Sequence, residues 1–392
     1  MKKIWIISGE ESGDIYGANL ARELQRLAAE NGEELKLSGM GGAQMIAAGV
    51  DVLVDATELG VIGVFEISSK IFTFIKIYFQ LIEAARKERP DAVVMIDYPG
   101  LNLRLAKALH KIGIPVVWYV SPQVWVWNKR RKPVLARVCA KMLVIFPFEV
   151  EVYADTALPT EFVGHPLIDI VRERTDPAIR RDGDTVLLLP GSRKMEIDRL
   201  LPSMLETVEV LARKHPNLKF HLSAPRERIA GMCRKRLEKF RRKHPNAPEI
   251  TLSVGNTGYW LQRAGTGIAA SGTVTVEAAI AGLPLVAGYR LHSLTLLLAA
   301  GLVKLYRGFF VMPNIIANRE VFQEFFQWRF SPKYLVPAME AILPGGPRRA
   351  EVEAGMDEVR NALSGRSGNA ARQAALSCWE VAARRQLPAG DK

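Results

Sequence analysis

The chain has 392 residues, with 53 lysines and arginines against 41 acidic residues and a formal charge of +12. Hydrophobic residues at 48% and charged residues at 24% exclude a disordered or fibrous protein, and the length exceeds what one hydrophobic core normally organises. The basic excess favours anionic partners (nucleic acid, nucleotide phosphates or acidic lipid) without choosing among them.

From the N-terminus, the apolar run Ile4-Trp5-Ile6-Ile7 stops at Ser8-Gly9-Glu10-Glu11, too short for a signal-peptide core. No window approaches the roughly 18 uninterrupted apolar residues that span a bilayer. The nearest, 61–82, carries Glu66, Lys70 and Lys76. Three scattered cysteines (Cys139, Cys233, Cys378) with no C-x-x-C pair give neither a disulfide framework nor a zinc site. Together these predict a cytoplasmic protein that meets membrane, where it does, from one side.

Apolar strands are predicted over 3–8, 92–96, 116–120 and 142–146, then over 186–189, 220–223, 267–270 and 285–287. Helical patterns over 17–29, 103–112 and 200–214 lie between them. Continuous apolar strands separated by helices mark an α/β protein whose parallel sheets are covered on both faces. There are too many strands for one compact sheet. His165-Pro166 and the polar stretch 172–184, with a turn at Arg181-Asp182-Gly183-Asp184, form a seam before a fresh strand at Thr185. The expectation is two Rossmann-like, doubly wound domains, 1–170 and 171–392, with a cleft between the carboxyl ends of their strands. The helical tail 350–385 packs back on either domain.

Four stretches carry candidate chemistry. Ser8-Gly9-Glu10-Glu11-Ser12-Gly13-Asp14 lies between the first strand and helix; it reads as a capped tight turn or as a polar loop gripping a hydroxyl-rich ligand, with Glu10, Ser12, Gly13 and Asp14 in the cleft. It lacks the dinucleotide fingerprint. Asp97 ends an apolar strand halted by Tyr98-Pro99-Gly100, so it is either a helix cap or a desolvated general base. In the second half, Gly191-Ser192-Arg193 and Ser271-Gly272-Thr273 each link a strand to a helix, as phosphate-binding turns do, and Glu277 lies one turn later, placed to accept from ribose hydroxyls. Asp182-Gly183-Asp184 reads as a turn rather than a metal motif, and the six histidines show no ligand spacing; no metal and no cofactor are expected.

Two surface features remain. The segment from Phe65 (Phe65, Ile67, Ile71, Phe72, Phe74 and Ile75, with Lys70 and Lys76 beside them) is either a core helix or an interfacial helix dipping into lipid headgroups. Basic runs at 129–132 and 234–243 come without any nucleic-acid-binding signature, so no nucleic acid is expected.

In combination these residues resemble the lipid-A-disaccharide synthase family. The resemblance rests on Ser8–Asp14, Ile96-Asp97, Tyr119-Val120-Ser121-Pro122-Gln123-Val124-Trp125-Val126-Trp127, Phe162–Pro166, Leu189–Arg193, Ser271-Gly272-Thr273 with Glu277, Gly288-Tyr289-Arg290 and Pro313-Asn314 with Arg319-Glu320, in order along the chain to about residue 325. It implies a GT-B fold and an inverting transfer from UDP-2,3-diacylglucosamine to 2,3-diacylglucosamine 1-phosphate (lipid X), giving a β-1,6 disaccharide phosphate and UDP in lipid A biosynthesis. It implies Asp97 as base, and Arg193, Glu277 and Asn314 on the donor side. It also implies peripheral association of the Phe65 segment with the cytoplasmic face of the inner membrane, and a homodimer that exchanges C-terminal elements. Ile315-Ile316-Ala317-Asn318 departs from a common Leu-Leu-Ala-Gly pattern beside Asn314. The alternative is another GT-B enzyme acting on UDP-N-acetylglucosamine or a lipid-linked sugar.

Overall fold

The computed structural model describes residues 1–56, 67–125, 130–291, 308–365 and 368–386, with the main chain alone for 67–71 and 385–386. The chain divides into two compact units, Met1–Asp169 with Leu363–Lys392, and Ile170–Ala362.

In the first unit, β1 (Lys2–Ser8), β2 (Leu35–Gly41), β3 (Asp51–Asp55), β4 (Ala92–Ile96), β5 (Val116–Tyr119), β6 (Lys141–Val144) and β7 (Thr160–Phe162) form one parallel sheet in the order β3-β2-β1-β4-β5-β6-β7. Between them run α1 (Glu11–Asn31), α2 (Ala43–Ala47), α3 (Ile67–Glu88), α4 (Pro99–Lys111), α5 (Arg131–Val138) and α6 (Glu149–Val152). Helix α7 (Pro166–Arg174) carries the chain into the second unit. Helices cover both faces of the sheet, so the central strands β1, β4 and β5 are apolar on both sides: Trp5, Val93, Met95 and Trp118 are all buried in one core.

The second unit repeats the plan. There β8 (Asp182–Leu189), β9 (Lys219–Ala224), β10 (Ile250–Val254), β11 (Ala264–Ala270), β12 (Leu285–Tyr289) and β13 (Glu324–Phe326) are parallel in the order β10-β9-β8-β11-β12-β13. Its helices are α8 (Lys194–Lys214), α9 (Glu227–Lys243), α10 (Thr257–Arg263), α11 (Thr273–Ala281), α12 (Met312–Ala317), α13 (Pro332–Ile342) and α14 (Arg349–Leu363). The last helix, α15 (Ala370–Gln386), packs on α1 of the first unit.

Each of the eight expected strands is present. The strand expected to open at Thr185 begins at Asp182 instead, which pairs with Ala264 across a register shift. Its carboxylate is spent on Thr185 Oγ1 at 3.0 Å and the Asp184 N–H at 3.2 Å. Five further strands, β2, β3, β7, β10 and β13, carry no continuous apolar run. Four of them are sheet edges or short, and half-exposed. β2 lies inside the sheet, but it is interrupted by glycine for a reason of contact: Gly39 has φ +147°, and a Cβ there would sit 2.0 Å from the Ile6 carbonyl oxygen.

Candidate active site

Both sheets are parallel, so within each unit the turns that follow the strands gather along one edge. In the first unit, Asp97 follows the last residue of β4. Its N–H donates to the Tyr119 carbonyl (3.0 Å), extending the β4–β5 ladder by one rung. The backbone then turns sharply: Asp97 and Tyr98 have φ of +44° and +49°, the left-handed region that costs a non-glycine residue on the order of 1 kcal/mol or more. Buried Asn102 holds the turn from within, its Nδ2 donating to the Asp97 carbonyl at 2.8 Å. Pro99 starts α4 with no side-chain cap, so the Asp97 carboxyl is not the helix cap that the sequence left open as its alternative.

That carboxyl accepts from the Tyr98 N–H of its own turn and caps no helix. Burial, reinforced by the negative charge of Glu10, raises its pKa from 3.8 to about 6. At neutral pH such a group is mostly ionised yet basic enough to take a proton, the range in which general bases work best. The loop after β1 comes up against it. Gly9 lies beneath the Tyr98 ring, where a Cβ would meet Cδ1 at 2.3 Å, and Gly13 lies against Ser8, where a Cβ would meet Oγ at 2.4 Å. Glu10 and Ser12 are exposed at the start of α1, which no side chain caps. Asp14 is different: its carboxylate accepts from the N–H groups of Gly42 (2.7 Å), Gln44 (2.9 Å) and Met45 (3.1 Å), so it is committed to ordering α2.

The same edge holds a second acid that sequence reading passed over. Glu149, at the start of α6, is only 1% exposed and accepts from the Phe146 N–H at 3.2 Å. Burial lifts its pKa from 4.5 to about 8, and nearby Asp97 adds to the rise. It is therefore protonated at neutral pH. His165, of the Phe162–Pro166 stretch, is buried and neutral, its pKa pushed down to about 3, and its Nδ1 accepts from the Leu167 N–H at the start of α7.

In the second unit, Arg193 occupies the N-cap position of α8, with its side chain 75% exposed. The N–H groups of Ser192 and Arg193, expected to be open to a diphosphate, both donate to the Glu196 carboxylate at 2.9 and 3.2 Å. A carboxylate of the protein thus fills the place of an anion there. The other turn is open. Among the described residues no side chain caps α11, whose N-cap is Gly272, and Gly272 and Thr273 are exposed. Ser271 extends β11, its N–H donating to the Gly288 carbonyl at 2.8 Å. One turn on, Glu277 lines a small cavity with Arg174, Gly258 and Gln262. Burial raises its pKa, and Arg174 offsets part of that rise.

Asn314 is fully buried, and its amide is fully used. Its Oδ1 accepts from the N–H groups of Val321 and Phe322 (2.8 Å each), while its Nδ2 donates to the Phe322 carbonyl (2.7 Å) and to Glu324 (3.1 Å). It orders the turn before β13 and keeps no donor or acceptor free for a ligand in this conformation. Gly288-Tyr289-Arg290 is likewise a scaffold. A Cβ on Gly288 would lie 1.9 Å from the Phe330 ring, and Arg290 donates to the carbonyls of Arg199, Gln327 and Phe330.

Phe65 lies outside the described residues, and on α3 only the main chain is described for Ile67 and Ile71. The question of core or surface resolves into both. Ile77, Leu81, Ile82 and Ala85 are buried, with Phe74 partly buried against that core. Phe72, Ile75 and Phe79 are 78%, 46% and 63% exposed and share the opposite stripe at spacings of three and four.

Two parallel α/β units, each gathering loops at the carboxyl edge of its sheet, define a protein with the GT-B fold. A UDP-GlcNAc 2-epimerase from Neisseria meningitidis bound to UDP-GlcNAc superposes with a TM-score of 0.63 at 12% identity, covering 97% of this chain and 100% of that one. A calicheamicin glycosyltransferase gives 0.59 at 13% identity, covering 98% and 100%. At such identities the likeness is one of fold. Sequence settles the family: residues 4–378 match the model for lipid-A-disaccharide synthetase, and the chain belongs to that family. The synthase of Koribacter versatilis is 38% identical over 98% of this chain and 100% of its own length, and that of Coxiella burnetii 35% identical over 95% and 97%.

Proposed function

We propose that this protein joins UDP-2,3-diacylglucosamine to lipid X by a single inverting displacement with Asp97 as general base. The Asp97 carboxylate takes the proton of the acceptor's primary hydroxyl as that oxygen bonds to the donor's anomeric carbon. The bond from that carbon to the diphosphate breaks, and UDP leaves with the electron pair. Its developing charge is met by the Arg193 guanidinium and by the uncapped start of α11 at Gly272-Thr273, while Glu277 takes the ribose hydroxyls. Asn314, Asn102 and Glu149 act behind these groups, as positioning residues.

The observation that carries this reading is Asp97: a carboxyl fixed just past the end of a buried strand, engaged by no cation among the described residues and poised by burial to titrate near neutrality. Membrane delivery of both lipids fits the exposed apolar stripe of α3, and no helix among the described residues is long and apolar enough to cross a bilayer. The test is incubation of purified protein with UDP-2,3-diacylglucosamine and lipid X, followed by mass spectrometry. A tetraacyl disaccharide monophosphate with stoichiometric UDP is expected; free diacylglucosamine or an epimerised UDP-sugar would overturn the reading.

A further inference from the structure

The second unit carries an aromatic and cationic cluster that the chemistry above does not use. After β13 the chain makes a tight turn at Gln327–Arg329, with Gln327 at φ +56°, and enters α13 through Ser331-Pro332. Trp328, at its tip, is 65% exposed. Its ring meets Tyr334 edge-on at 5.4 Å; Arg329 lies over the Trp328 ring at 5.4 Å and Lys333 over Tyr334 at 5.6 Å. A large aromatic left in water on a loose loop would mean little. This one is held firmly, because Arg290 donates to the carbonyls on either side of it, Gln327 at 3.0 Å and Phe330 at 2.5 Å, and the Phe330 ring is sunk against Gly288.

Charge and location narrow the partner. Arg329 and Lys333 are exposed and neither has a carboxylate within ion-pair distance among the described residues, although the second unit is rich in such pairs. Because β13 is parallel to its neighbours, the turn stands at the carboxyl edge of the sheet, the same edge as the turns at Ser192 and Ser271. An indole beside a phenol, flanked by cations, is the composition of side chains that settle at the boundary between lipid headgroups and acyl chains.

We propose that the Trp328 turn is a second membrane anchor, separate from α3, which seats Trp328 at the headgroup boundary of an anionic bilayer and places Arg329 and Lys333 on lipid phosphates. It rests on the reading above only in that both substrates come from a bilayer, and it gives the donor-side unit its own hold on that surface.

The test is co-sedimentation of the full chain with vesicles of phosphatidylcholine, alone or mixed with phosphatidylglycerol, in a background where Phe72, Ile75 and Phe79 are serine. Replacing both Arg329 and Lys333 by Gln should weaken partition to the anionic vesicles by about fivefold per charge and leave the neutral ones unaffected. Trp328→Ser should weaken both, with unchanged melting curves. Unchanged partition in both variants overturns the anchor. So does a Trp328→Ser variant that loses UDP affinity, or changes oligomeric state, while its partition holds. Disaccharide formation from detergent-dispersed substrates is assayed alongside: if it fails while the partition shifts appear, the anchor stands and the transferase reading falls.

Discussion

Glu149→Gln separates the buried acid's protonation from every other feature of the site. Unfolded Glu149 would ionise with its ordinary value of 4.5, whereas the folded group holds its proton to about 8. Across that window the folded state binds one proton more than the unfolded state, so stability must fall as pH rises, by about 1.4 kcal/mol per pH unit, and the full penalty is present above pH 8. At pH 7 the proton uptake costs about 3 kcal/mol. Glutamine keeps the acceptor for the Phe146 N–H without needing the proton, but its amide brings an added buried donor that costs about 1–3 kcal/mol if unpaired. The two effects nearly cancel at pH 7; the slope does not. Urea unfolding of the two proteins from pH 5 to 8 should show the variant gaining on the wild type by about 1 kcal/mol or more per unit. A stability difference that does not change with pH would refute a protonated Glu149.

Two further outcomes follow from the same groups. Because Glu10 helps to raise the Asp97 pKa, Glu10→Gln lowers it; the acid limb of kcat/KM, expected near pH 6 where the base protonates, should move to lower pH, and a limb that stays or moves up contradicts the assignment. Changing Phe72, Ile75 and Phe79 on α3 to serine should weaken, without abolishing, binding to vesicles with little loss of melting temperature, whereas Phe74→Ser should lower melting temperature, since that ring packs on the core; a reversed pattern would return the outer stripe to the interior.

Much of this was legible in the sequence, for reasons that can be named. Central strands of a covered parallel sheet are apolar on both faces, so Ala92–Ile96 stands out, and Pro99 two residues after Asp97 fixes where that strand must stop. The edge strands, wet on one side, left no such trace. Site residues were legible as types more than as roles. Asp14 and Asn314 look like ligand contacts on motif grounds, but their hydrogen bonds go to Gly42 and Met45 and to Val321 and Phe322, partners that spacing cannot reveal. Glu196 stands three residues after Arg193, the spacing of a capping box, and that signal was available in the string itself. Glu149 had no such signal, because its chemistry comes wholly from being buried beside Asp97.

The account turns on Asp97, and the most direct measurement is UDP release by Asp97→Ala with saturating donor and acceptor, paired with calorimetric UDP binding. Turnover should drop by about 10²–10⁴ while UDP affinity stays at the wild-type value, because the lost group belongs to the first unit and, in the role proposed above, serves only the acceptor's proton. Turnover within a few-fold of wild type would contradict the central claim.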